Sequence, residues 1–124
     1  MLAQRDPYNA YQRVEFEARV NGASAQQLVH ICYDQLISGL NTALLAHDRQ
    51  DASLKSQSLT RALSALTALQ LGIDPESEMA EILSGFYNAA RKSVLESSVH
   101  FEAESLRTIR EDFLEIRNAL FPGN

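Results

Sequence analysis

A chain of 124 residues, 45% hydrophobic and 22% charged, has the size and composition of one globular domain with a core of its own. With 16 acidic and 11 basic residues its net charge is −5, which argues against nucleic acid or an anionic membrane as main partner, since both ask for basic patches. No run of 18 apolar residues could span a bilayer, and Met1–Asp6 lacks the basic and hydrophobic regions of a secretory signal, so the expected address is the cytoplasm.

Residues 1–23 read differently from the rest and form the first expected unit, an N-terminal arm. Asp6-Pro7 and Asn21-Gly22 are breaker dipeptides. Between them Tyr8, Tyr11, Val14 and Ala18 recur at helical spacing, which predicts a short helix around 8–19. A helix of that length does not stand alone in water and must dock on something. It either finishes the core or acts as a displaceable lid.

The second unit, 24–120, reads as four helices. Ser24 and Gln27 form an S-x-x-Q capping box that opens the first, at about 24–46. Leu28, Val29, Cys32, Tyr33, Leu36, Ile37, Leu40 and Leu44 fill an arc of about half its circumference, wider than the stripe of an ordinary surface helix. This helix therefore lies deep among others or shares an edge with a further element. Cys32, the single cysteine, sits within the arc and reads as a buried thiol in a reduced compartment.

His47 to Gln50 form a polar connection, and Asp51 is a good N-cap for a second helix at about 52–71. Leu54, Leu59, Ala62, Leu63, Ala65, Leu66 and Leu69 make its apolar arc, opposite Ser56, Thr60, Ser64 and Thr67. Gly72 stands where a left-handed C′ residue ends a helix at least cost. Asp74-Pro75 then predicts a third start, Asp as N-cap and Pro in the first turn, for a helix at about 75–97. Its stripe is Met79, Ile82, Leu83, Phe86, Ala90 and Val94, with Tyr87 at the edge. The fourth helix, about 101–120, has a narrow stripe of Leu106, Ile109, Phe113, Ile116 and Leu120 on an otherwise charged surface. Four helices with short links predict an all-α, antiparallel four-helix bundle.

Chemistry is sparse. The residues three before His30, His47 and His100 are Gln27, Leu44 and Ser97, so the Glu-x-x-His pattern of bundle metal sites is absent. His30 is the one candidate for a phosphotransfer histidine, yet Asp34 one turn on would repel a phosphoryl group. The glycines are scattered and form no phosphate loop. The expectation is no enzyme, no cofactor and no metal. The surplus apolar arcs are more informative. Tyr33, Ile37 and Leu44 at one edge of the first helix, and Tyr87 on the third, are candidate lining for a groove that takes an amphipathic partner segment.

The N-terminal half resembles the flagellar export chaperone family FliS. Ala10-Tyr11-Gln12-Arg13-Val14, Glu17-Ala18-Arg19-Val20, Ala23-Ser24, Gln27-Leu28-Val29 and Tyr33-Asp34 carry the resemblance, without a gap from about Ala10 to Leu40. Gly72-Ile73-Asp74, Ala80-Glu81 and Tyr87 extend it over the second junction and third helix. The chain departs from the family at Ala25, usually Pro, at Gln35, usually Gly, and at Pro75-Glu76-Ser77-Glu78, usually a Gly-Gly region. The resemblance implies a cytoplasmic bundle that binds the disordered C-terminal region of new flagellin, prevents premature polymerisation and aids delivery to the type III export gate. It also implies that the N-terminal segment, through Tyr11 and Val14 here, covers part of the groove until the client displaces it. Tyr8 is added on spacing. The expected state is a monomer or weak homodimer. The competing readings are a self-associating bundle adaptor and a phosphotransfer domain using His30.

Overall fold

The structure, a computed structural model, describes residues 24–123, which form four helices: α1 (Ala25–Asp48), α2 (Ala52–Leu71), α3 (Ala80–Val99) and α4 (Ala103–Leu120). No strand occurs among the described residues, so the all-α expectation holds. The arm expected over 1–23, with Tyr8, Tyr11 and Val14, lies outside the described residues.

Each helix packs on the next, and α4 closes the ring on α1. Partners across the seams run in opposite directions. Arg61 bonds to Ser38 and Lys55 to His47 between α2 and α1, while Arg110 reaches Asn41 and Arg117 reaches Asp34 between α4 and α1. Neighbouring helices are antiparallel, as short links require.

The capping box forms as its sequence demands. The Ser24 hydroxyl accepts from the Gln27 amide at 3.2 Å, and Gln27 Oε1 accepts from the Ser24 amide at 2.7 Å. Asp51 caps α2 by accepting from the Leu54 amide at 3.0 Å. The tight link between α1 and α2 turns through Gln50, whose φ of 56° is left-handed.

Three expectations about helix ends are corrected. Gly72 caps α2 with φ −87° and ψ −1°, a right-handed conformation, so its freedom at positive φ is not used. Residues 75–79 are turns, and α3 starts at Ala80 instead of Pro75. Asp74 Oδ1 accepts from the Glu76 amide at 2.9 Å, and Ser77 Oγ accepts from the Met79 amide at 3.1 Å. Side chains that bond the backbone two residues on offer it a turn in place of a helix. With the first turn lost, Met79 and Ile82 stand exposed instead of heading the apolar stripe. Finally, α4 begins at Ala103 because Phe101 leaves the helical path to stack on His47, rings 3.9 Å apart, with Lys55 Nζ 4.9 Å over its centre.

The core settles the surplus arc of α1. This helix is flanked by α2 and α4, and Tyr33 reaches across to α3. Tyr33, Leu36, Leu40, Leu66, Val94, Leu106 and Phe113 are wholly buried. Gly39 permits a close approach between α1 and α2: a Cβ there would lie 2.9 Å from the Ser58 carbonyl and 3.2 Å from the Ala62 nitrogen. Thr67, expected on the polar face of α2, is buried instead. Arg91 Nη2 on α3 donates to its Oγ1 at 2.6 Å, which gives the hydroxyl a partner and closes the α2–α3 seam.

Candidate functional site

The structure brings Tyr33, Ile37, Leu44 and Tyr87 into the core, where their exposures are 0%, 7%, 8% and 3%. The sequence reading put them at a groove edge; the structure places their side chains inside the bundle. A helical wheel gives direction but not depth, and α1 has neighbours on both sides of its arc. The Tyr33 and Tyr87 hydroxyls share a hydrogen bond of 2.8 Å. Phe113 meets Tyr33 edge-on at 5.7 Å and lies parallel to Tyr87 at 6.1 Å. Burial raises both phenol pKa values above the ordinary range, and it pushes the nearby Cys32 thiol up to about 12. A thiol so held is protonated and inert at neutral pH.

At the α1–α4 end, His30 lies with its ring centre 4.4 Å from that of Phe121 and its Nε2 3.7 Å from Asp34 Oδ2. Asp34 Oδ1 is also 2.6 Å from Arg117 Nε, a close ion pair that is not aligned as a hydrogen bond. His30 Nε2 is shut off from solvent and has no hydrogen-bond partner, which is poor geometry for a phosphoryl acceptor. Among the described residues no three His, Cys, Asp or Glu side chains group as a metal site, and no helix is long and apolar enough to cross a membrane.

Among the described residues, the α3–α4 seam is open. Ala89, Ala90 and Ser93 on α3 face Ser105 and Thr108 on α4, and these short side chains cannot fill the space between two helix axes. A cleft of about 470 Å³ results, with Phe86, Ile109 and Phe113 among its lining and Glu104 and Asp112 as its acidic members. A second cleft of about 580 Å³ shares Ser105 and continues the seam past Leu95, Glu96, Val99 and Glu102. Leu95 and Val99 are exposed there, Val99 at 89%. A third cleft, of about 450 Å³, lies where α2 ends and α3 begins, lined by Gln70, Ile73, Pro75, Ser77, Glu78, Ala80, Glu81 and Ser84. Farther along that seam the gap is closed. Between α2 and α3, Arg91 donates to both Thr67 and Gln70, and Gln70 bonds Asn88.

A four-helix ring with a short-side-chain seam is common to many proteins, so architecture alone names no family. The family model of flagellar protein FliS, however, matches residues 7–120. The chain belongs to the FliS family. The FliS match runs through all four helices and into the segment before them. It gives the chain the general role of a flagellar export chaperone, a family not known for catalysis. No curated protein sequence matches the chain.

Sequence reasoning missed the seam. Its signal is a lack of bulk at Ala89, Ser93, Ser105 and Thr108, and small residues at one helix edge look the same whether a neighbour closes over them or not.

Proposed function

We propose that this chain is a flagellin-specific export chaperone of the bacterial cytosol. It binds the disordered C-terminal segment of flagellin, keeps monomers from polymerising early and aids their delivery to the flagellar export gate. The observation that carries this reading is the FliS match over 7–120. Apolar surface left open on the bundle supports it: Leu45, Leu71, Ile82 and Leu120 are all exposed. A disordered client gains free energy by folding onto such surface, against the entropy of its ordering.

In the same reading, Tyr8, Tyr11 and Val14 compete with the client for the bundle, so that the segment 1–23 serves as a lid on the domain 24–120. Ile37 and Leu44 then meet the client only after whatever covers them moves aside, and Tyr33 and Tyr87 act by holding the helices that present the surface. Binding needs no catalysis and no cofactor.

Calorimetric titration with a synthetic peptide from the C-terminal region of the host flagellin tests the proposal. Saturable binding with a clearly negative heat-capacity change is expected. A folded bundle that does not bind would overturn it and bring forward the self-associating adaptor, which sedimentation at several concentrations would detect as a tight dimer. Deleting residues 1–20 is expected to leave the bundle folded with altered client affinity. Collapse of the fold would make the arm structural instead of a lid.

A further inference from the structure

Along the α3–α4 seam, shape and charge point the same way. The two clefts join at Ser105 into one trough from Phe86 and Phe113 to Leu95 and Val99, about 20 Å long at the rise of a helix. The trough is lined by four carboxylates, Glu96, Glu102, Glu104 and Asp112, by one histidine, His100, and by no lysine or arginine. Of these, Glu104 pairs with Arg107, while Glu96, Glu102 and Asp112 have no ion pair among the described residues. The remaining arginines of α4 do not relieve them. Arg110 is turned to Asn41 and Arg117 to Asp34, both on α1, and Arg110 also pairs with its neighbour Glu111.

We infer that the α3–α4 seam is a docking groove for a basic amphipathic helix of a protein partner, three to four turns long. An apolar floor between two antiparallel helices suits a third helix, whose apolar anchors at i, i+3, i+4 and i+7 enter the gap left by Ala89, Ser93, Ser105 and Thr108. A helix satisfies its own backbone, whereas an extended strand would bring unpaired amides onto apolar side chains. Lysines or arginines flanking the apolar stripe meet the unpaired carboxylates, which sets orientation and speeds encounter. The inference goes beyond the flagellin reading. It rests on the shape and charge of the described helices, and either can fail while the other stands.

The test is binding, by fluorescence anisotropy, of two synthetic helical peptides of roughly 18 residues. One carries leucines at the anchor positions with lysine flanks; the other has glutamate in place of each lysine. The lysine peptide should bind the full chain roughly tenfold more tightly and lose affinity as salt rises. Because the whole protein is acidic, two charge-matched variants locate the site. Glu96→Gln/Glu102→Gln/Asp112→Asn should weaken the lysine peptide severalfold, and Glu76→Gln/Glu78→Gln/Glu81→Gln, outside the trough, should not. Ala89→Arg, at an exposed position of the lip, should abolish binding with the circular dichroism of the bundle unchanged. Equal affinity for the two peptides, equal weakening by the two triple variants, or full binding to Ala89→Arg would each overturn the inference.

Discussion

The hydroxyls of Tyr33 and Tyr87, 54 residues apart in sequence, meet at 2.8 Å inside the bundle and tie α1 to α3 across its diagonal. Either hydroxyl alone in that setting would be a buried polar group with no partner. Tyr33→Phe and Tyr87→Phe are each expected to destabilise the fold by about 1–3 kcal/mol, because each strands the other's oxygen. The double variant should lose less than the sum, since both polar groups then leave the core together. Urea unfolding of the four proteins measures this cycle, and strict additivity would mean that the bond contributes nothing.

The same pair, with Cys32, predicts sensitivity to alkali. Burial is the main cause of all three upward shifts; for Tyr33 the bond from Tyr87 offsets part of it. A group that stays protonated in the fold and ionises when unfolded adds stability below its unfolded pKa, and that stability drains away as pH rises above it. The fold should therefore be steady up to about pH 8, weaken as a free thiol ionises around 9.0, and go on weakening toward the Cys32 value of about 12. Urea midpoints followed through this range should fall, and should fall less in the double Tyr→Phe variant, which retains only the Cys32 contribution. A midpoint that does not change with pH would show that the core admits the ionised groups.

Two glycines should respond in opposite directions to one substitution. At Gly39 an added Cβ runs into the backbone of α2, 2.9 Å from the Ser58 oxygen, and backbone cannot step aside as a side chain can. Gly39→Ala should cost about 1–3 kcal/mol through separation of α1 and α2. At Gly85, within α3, nothing lies within 4 Å of the new atom. Gly85→Ala should stabilise by about 0.5–1 kcal/mol through helix propensity. Thermal melts of the two variants, one moved down and one up, check the packing directly.

Arg91 and Arg107 offer a similar contrast between charges. Arg91 is partly buried, with desolvation drawing its pKa down, and it donates to Thr67 Oγ1 at 2.6 Å and Gln70 Oε1 at 2.9 Å. Arg91→Ala leaves the buried Thr67 hydroxyl without its donor and should cost about 1–3 kcal/mol. Among the described residues Arg107 pairs only with Glu104, in the open, and Arg107→Ala should change stability by about 0.5 kcal/mol or less. Equal losses in urea unfolding would mean that the α2–α3 network does not close its seam.

Much of this protein was decided locally and so could be read from the chain. The Ser24–Gln27 box, the Asp51 cap and the helical apolar spacing act over a few residues, and they set the number and order of the helices, with α2 matching residue for residue. The match of Ala10 to Leu40 with the FliS pattern is likewise a property of sequence, and the family model extends it over 7–120. Where local rules conflicted, the sequence misled: Asp74 and Pro75 are sound helix starters, yet the backbone bonds made by Asp74 and Ser77 held residues 75–79 in turns. Depth was decided only by tertiary structure. Tyr33, Ile37, Leu44 and Tyr87 look like an edge on a wheel, but α2 and α4 close over both sides of α1. The open seam was decided there too, because a gap exists only between two helices, and neither α3 nor α4 records alone that Ala89 and Ser93 face Ser105 and Thr108.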